Sequence, residues 1–284
     1  MYKSALRRIA PSTLLIKIND LYSHRLARVN SKSYPQVAIF SFDHIGISIN
    51  TQGRFEGPLL DAILDFLRSE QKIDFGLALD IGANIGNHAL FFARAFQRVV
   101  AFEPNPRTFQ LLTFNAALNP AIDIRPYGLG ARNERASLVE DPNNIGGAHV
   151  VSDQEDGFNI EIRRLDDVDD LQDRKVDLIK LDVEGFEHQV LLGGRDLIAR
   201  CKPVILFEQA ETDFHDGKNA AVETLRDLGY HFLVPEKNFR LGESLPAKAL
   251  SLCLRILFGE RYVFHRQTDF KPRYYPLVIA LPGR

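Results

Sequence analysis

The chain carries only two cysteines in 284 residues, Cys201 and Cys253, far apart and in apolar surroundings. That excludes a disulfide scaffold or a paired-cysteine zinc site, and a reducing compartment is the natural setting. No apolar run reaches the ~18 residues that read as a membrane span, and no apolar segment ending in small residues forms a cleavable leader. A cytoplasmic protein without export is expected. Charge of one sign is lacking too: 35 Lys and Arg against 37 Asp and Glu leave −2, with no global attraction to polyanions. Internal repeats, low-complexity tracts, an Asn-Pro-Pro-aromatic base-flipping sequence and aromatic-basic interleaving are all absent, so nucleic acid is disfavoured as a partner.

What is present is ordinary globular composition, long enough for one large α/β domain with appendages. Residues 1–30 hold Lys3, Arg7, Arg8, Lys17, Arg25 and Arg28 against Asp20 alone, with Leu14, Leu15, Ile18 and Leu21 at helical spacing and a break at Pro11. This basic amphipathic segment is expected to pack on the main domain, with peripheral contact to a membrane surface as the alternative. Val37–Asn50 alternates as a β-hairpin would, and Pro58–Arg68 has a helical pattern. Residues 1–70 therefore read as an extension before a main domain at 71–284.

From Leu77 onward short apolar runs alternate with amphipathic stretches. Strands are expected at Leu77–Ile81, Arg98–Glu103, Ile122–Tyr127, Val176–Asp182, Val204–Glu208, His231–Val234 and Leu277–Leu281. Helices are expected at Gly86–Phe96, Pro106–Asn119, Glu187–Ala199 and Ala220–Leu228. Such alternation implies crossovers and a mostly parallel sheet with helices on both faces. An insertion at about 236–274 holds one more helix near Ala247–Phe258.

Leu77-Ala-Leu-Asp-Ile-Gly-Ala-Asn-Ile-Gly runs from a strand through an acidic residue and a glycine turn into a helix. Gly82 allows a tight turn, Gly86 a close approach, and N–H groups at a helix start favour a carboxylate-bearing ligand. This is the layout of a nucleotide-cofactor site. A dinucleotide loop wants Gly-x-Gly-x-x-Gly against its pyrophosphate, whereas here position 84 is Asn. Asp80 places a carboxylate where a cationic amino group would be attracted. Glu103, a little over twenty residues on, ends the neighbouring strand and can accept two ribose hydroxyls; Pro104 and Pro106 fix the exit into the next helix.

Further along, Val176-Asp-Leu-Ile-Lys-Leu-Asp-Val-Glu-Gly-Phe-Glu-His188 puts Lys180, Asp182 and Glu184 on one side of a strand at its carboxyl edge. A hydroxyl acceptor must lose a proton, and Asp182 is the first candidate base, with Glu184 or His188 next. Lys180 reads chiefly as a counter-ion. Asp182, Glu184, Glu187 and His188 match no metal-ligand spacing, so no metal is expected. Glu208 ends the next strand at the same edge. Asn143–His149, with paired glycines, reads as a flexible loop that closes on the cofactor or holds the acceptor.

Six ordered stretches, Asp80–Gly86, Ala101–Pro106, Asn115–Asn119, Gly146–Ala148, Lys180–Glu187 and Pro203–Glu208, together resemble the FkbM family of methyltransferases. The resemblance covers about residues 53–210, including Glu56, a position where that family tends to carry a glutamate. It implies a class I methyltransferase fold: a Rossmann-like α/β domain with a seven-stranded sheet and a terminal antiparallel strand. It also implies S-adenosylmethionine as methyl donor and a hydroxyl acceptor on a sugar, glycan, glycolipid or natural product. Carried onto this chain, cofactor contacts fall on Glu56, Asp80, Gly82, Asn84, Gly86, Asn87, Glu103, Pro104, Asn105 and Asp182. Asp182, Glu184, His188 and Lys180 fall near the transferred methyl. A nicotinamide-dependent oxidoreductase and a non-catalytic scaffold are the competing readings; Asn84 with Glu-Pro-Asn-Pro opposes the first, and motifs intact on both donor and acceptor sides oppose the second.

Overall fold

The computed structural model describes residues 12–71, 73–141, 144–151, 157–242 and 244–283, with backbone alone over 140–151. Lys3, Arg7, Arg8 and Pro11 of the basic segment lie outside the described residues. Two compact units divide between Gly57 and Pro58.

In the first unit, helix α1 (Ser12–Asn30) buries none of its residues. Helix α2 (His44–Gln52) packs beside it, and the Asn30 amide donates to the Thr51 carbonyl at 3.2 Å. The hairpin expected over Val37–Asn50 is not there. Ile45, Ile47 and Ile49 alternate in sequence, yet the chain helps to place them on a helix by bringing Gly46 against the preceding segment, where a Cβ would sit 2.2 Å from the Phe40 carbonyl oxygen. Tertiary approach overrides the period-2 pattern.

Helix α3 (Gly57–Phe66) lends Leu59, Leu60, Ile63 and Leu64 to the core of the second unit, so the division lies after the first residue of this helix and not after residue 70. Then follow β1 (Leu77–Ile81), α4 (Asn87–Phe92), β2 (Arg98–Phe102), α5 (Pro106–Ala116) and β3 (Ile122–Arg125). A small sheet comes next: β4 (Gly128–Leu129), β5 (Glu134–Asp141), β6 (Asn144–Val151) and β7 (Phe158–Arg163). The chain returns through β8 (Leu178–Leu181), α6 (Glu187–Gly193), α7 (Arg195–Cys201) and β9 (Val204–Gln209). It ends with β10 (Phe214–His215), β11 (Lys218–Asn219), α8 (Ala220–Asp227), β12 (Tyr230–Lys237), α9 (Leu245–Phe258), β13 (Tyr262–Gln267) and β14 (Tyr275–Pro282).

The main sheet runs β13-β12-β14-β9-β8-β1-β2-β3; β1, β2, β3, β8 and β9 are parallel, β14 pairs antiparallel with both β9 and β12, and β13 antiparallel with β12, so β12 runs with the parallel set. Setting β13 aside leaves the seven strands and terminal antiparallel strand that the class I fold requires. The eighth strand comes from the insertion after β12, where Tyr262 and Phe264 alternate inward and Phe264 stacks on Phe66 of α3 at 4.6 Å. Sequence inspection saw only the helix of that insertion.

Strands buried on both faces read as continuous apolar runs, and these do. One face, with Leu79, Ile81, Ile179 and Phe207, packs on Val190, Leu197 and Leu225 of α6, α7 and α8. The other, with Ala78, Ala101, Leu178 and Leu206, packs on Ile63, Phe92 and Leu112 of α3, α4 and α5. Each large side chain so buried contributes ~1.5–3 kcal/mol. Asp80 and Lys180 interrupt this second face, side by side in register across β1 and β8.

The stretch around Gly146 and Gly147, expected as a loop, lies in β6 and pairs antiparallel with β5. Strands β5, β7 and β4 complete a separate four-stranded sheet with its own small core of Leu138, Ile160 and Ile162. The His149 side chain lies outside the described residues.

Candidate active site

Asp80, the last but one residue of β1, has 0% exposure, and neither carboxylate oxygen has a hydrogen-bond partner among the described residues. Its nearest countercharge is the Lys180 ammonium, 3.8 Å away. Lys180 in turn donates to Asp182 Oδ2 at 2.8 Å, so one buried ammonium stands between two carboxylates. Removing it would leave Asp80 as an uncompensated buried charge, the costly case.

The turn after Asp80 is shaped by the protein's own packing. Gly82 has φ of 78°, and a Cβ there would lie 1.8 Å from the Asp182 carbonyl oxygen. Gly86 caps α4 at φ 89°, and Asn84 is also left-handed at 51°. Gly82 and Ala83 both donate their N–H groups to the Phe102 carbonyl, Gly86 donates to Ala83, and Asn84 donates to Glu103. Four N–H groups that a pyrophosphate would seek are thus already engaged, in line with the sequence departing from a dinucleotide loop. Asn87 is the first residue of α4 and half-buried. Asn115 of α5, fully buried, donates to the Ile85 carbonyl at 2.7 Å and holds the turn from behind. Its chemistry was hidden in a stretch that reads only as a helix end.

Glu103 sits just past β2. Oε2 accepts the Asn84 N–H and Oε1 the Asn105 N–H, each at 2.8 Å. Burial pushes its carboxyl above the usual range, opposed by the hydrogen bonds from Asn105, Thr108 and Asn84 and assisted by the Asp80 charge. Asn105 Oδ1 accepts the Arg107 N–H at 2.9 Å, so this residue caps α5, with Pro106 at its first turn. Pro104 lies beside Gly128 of β4. Glu56 belongs to the first unit, half-buried in a left-handed turn at φ 55°.

Beyond β8 the chain leaves the strand at Leu181, earlier than the alternation of Lys180, Asp182 and Glu184 suggests, and Glu184 occupies a left-handed turn at φ 50°. An open cleft of about 100 Å³ follows, lined by Asp182, Glu184, Gly185, Glu187, Glu208, Ala210, Thr212 and Asp213. Asp182, Glu184 and Glu208 are therefore brought together at one edge. His188 is not among them: its Nδ1 faces Thr224 Oγ1 of α8 at 3.1 Å, and it serves the packing of two helices.

Glu187, by contrast, lines the cleft and is nearly buried. Desolvation raises its carboxyl from 4.5 to about 7, with the charges of Asp213 and Asp182 adding to the rise and backbone N–H groups, that of Val183 among them, opposing it. Oε1 accepts from Val183 at 3.2 Å and Gly185 at 3.4 Å, which ties down the 183–185 turn. Among the described residues no three His, Cys, Asp or Glu side chains are placed to hold a metal ion.

The model of a family described as the methyltransferase FkbM domain matches residues 80–232. Over 140 residues the chain is 36% identical to a hexuronic acid methyltransferase of Haloferax volcanii, a match covering 48% of this chain and 57% of that protein. It is 29% identical over 152 residues to a methyltransferase of Sordaria araneosa, covering 40% and 59%. A 2-O-methyltransferase of Sinorhizobium fredii is 28% identical over 160 residues, covering 49% and 65%. In each case the matched region spans less than two thirds of the relative's length.

Proposed function

The chain belongs to the FkbM methyltransferase-domain family, and on that premise we propose that it transfers a methyl group from S-adenosylmethionine to a hydroxyl oxygen of a sugar, glycan, glycolipid or natural product. The observation that carries this reading is the junction at one sheet edge of the Asp80–Glu103 turn system with the carboxylate cleft of Asp182, Glu184 and Glu208. The names of two relatives, a hexuronic acid methyltransferase and a 2-O-methyltransferase, favour a sugar hydroxyl among these acceptors.

The residues fit an adenosyl sulfonium ligand. Asp80 holds two buried oxygens that accept no hydrogen bond among the described residues, directly before the turn and 3.8 Å from Lys180, acceptors that suit a ligand ammonium group. Glu103 keeps acceptor capacity beyond the hydrogen bonds from Asn84, Asn105 and Thr108, which suits a ribose hydroxyl. When bound, the cofactor supplies an electrophilic methyl group on sulfur.

The chain's own part is positioning and proton handling. Carboxylates lining the cleft accept hydrogen bonds from hydroxyls and hold an acceptor oxygen in line, the kind of orientation that supplies much of a barrier reduction. Asp182 takes the hydroxyl proton, with Glu184 as the second carboxylate within the same cleft. Glu187 fixes the turn that presents both.

Incubation with methyl-labelled S-adenosylmethionine and a panel of neutral, amino and uronic sugars, followed by mass spectrometry of the products, tests the acceptor class. Methyl ethers on sugar hydroxyls support the proposal; label incorporated only on nitrogen or carbon contradicts it.

A further inference from the structure

Helix α9 is inside out. The side it turns to the protein carries one large apolar residue, Leu254, among small or polar ones: Ala247, Ser251, Leu254 and Arg255 are its less exposed positions, and Ser251 is its one buried residue. Ser251 Oγ donates to the Ala247 carbonyl at 2.6 Å and accepts the Leu241 N–H at 3.2 Å. The large apolar side chains point the other way. Leu245 is 84% exposed, Ile256 and Leu257 73% each and Phe258 71%, with Leu250 and Leu252 also exposed. Phe239, from the preceding loop, joins Phe258 at 6.1 Å between ring centroids. At 100° per residue, positions 245, 249, 250, 252, 256 and 257 fall on one continuous outward arc.

We propose that α9 docks this protein on an anionic lipid surface. A surface helix that served only the fold would turn its leucines inward, so the outward arc needs an apolar medium to cover it. The charges name the medium. The helix carries Lys248 and Arg255 and no acidic residue; Arg240 and Arg261 flank it together with Glu243 and Glu260, Arg255 pairs with Glu260 at 3.6 Å, and residues 240–261 keep a net charge of +2. An apolar arc with cations along its margin matches the headgroup and acyl boundary of a bilayer containing anionic lipid. At 14 residues α9 is ~21 Å long, short of the ~20 residues needed to cross a bilayer, and no described helix is long and apolar enough to do so. It therefore lies flat, with its leucines among the acyl chains. This inference stands apart from the acceptor assignment.

Flotation of the full chain with vesicles tests it, comparing phosphatidylcholine alone with phosphatidylcholine containing roughly 30 mol% phosphatidylglycerol. The wild type is expected to partition at least about tenfold more strongly onto the anionic vesicles, and Ile256→Glu or Leu257→Glu to lose about tenfold or more of that binding. Leu118→Glu, an exposed apolar site away from α9, is expected to bind as the wild type does. Circular dichroism confirms that each variant is folded. A wild type that does not float, or an Ile256→Glu protein that floats unchanged, overturns the proposal. So does a wild-type dimer that Ile256→Glu dissociates in sedimentation while vesicles bind neither form.

Discussion

The Asn84 N–H reaches Glu103 Oε2 at 2.8 Å and ties the glycine turn after β1 to the carboxyl end of β2. The second oxygen of the same carboxylate takes Asn105 and thereby steadies the start of α5. One side chain sets the relative position of two turns.

Glu103→Gln leaves a single acceptor oxygen and turns an amide NH2 toward a backbone N–H. The expected cost is about 1–3 kcal/mol of stability, from one lost hydrogen bond and one donor facing a donor. Urea denaturation measures it, and an unchanged midpoint would contradict the clamp.

Gly82→Ala is expected to cost about 3 kcal/mol or more, because the methyl group meets the Asp182 carbonyl oxygen and the backbone is left-handed. Gly217→Ala makes the comparison: it is also left-handed, at φ 74°, but a Cβ there meets nothing within 4 Å. The expected cost is ~1 kcal/mol from conformation alone. Equal shifts in melting temperature for both variants would mean that the contact with Asp182 is unimportant.

Glu187 makes stability depend on pH. Its folded carboxyl is raised from 4.5 to about 7, so the protonated form is the one that folding favours. The stabilisation is complete below pH 4.5, where folded and unfolded chains are both protonated, and is lost as pH rises through about 7. The span corresponds to about 3 kcal/mol. Glu187→Gln keeps an oxygen for Val183 and Gly185 but cannot ionise. Its stability relative to the wild type is expected to rise by that amount between pH 4.5 and 8, and parallel pH profiles from urea denaturation would contradict this.

Asp182→Asn is expected to lower turnover about 100-fold, and Glu184→Gln to lower it less, while both bind cofactor within about threefold of wild type. His188→Ala, which loses only its contact with Thr224, is expected to keep turnover. Wild-type rates in Asp182→Asn and Glu184→Gln together would remove the base assignment.

The parallel strands were readable because burial on both faces demands unbroken apolar runs, and Asp80 and Lys180 stood out against those runs. Edges were harder. The inward residues of β13, Tyr262 and Phe264, find their partners in α3 and β12, nearly two hundred residues away in one case and adjacent in the other, and no local period announces that. The alternation of Ile45, Ile47 and Ile49 suits a strand, whereas the chain forms a helix in which Gly46 lies against the Phe40 carbonyl. At the site, residue types single out Asp80, Glu103, Asp182 and Glu184 as candidates. The raised carboxyl of Glu187 depends on burial, and the turn of His188 toward Thr224 depends on where α8 packs. Both are tertiary facts.

Calorimetric titration with S-adenosylmethionine, S-adenosylhomocysteine and NADH, on wild type and Glu103→Ala, tests the central claim most directly. The account predicts binding of both sulfur compounds, weakened at least about tenfold in the variant, and no binding of NADH. Binding of NADH in place of the sulfur compounds, or no binding of either sulfur compound at millimolar concentration, would contradict it.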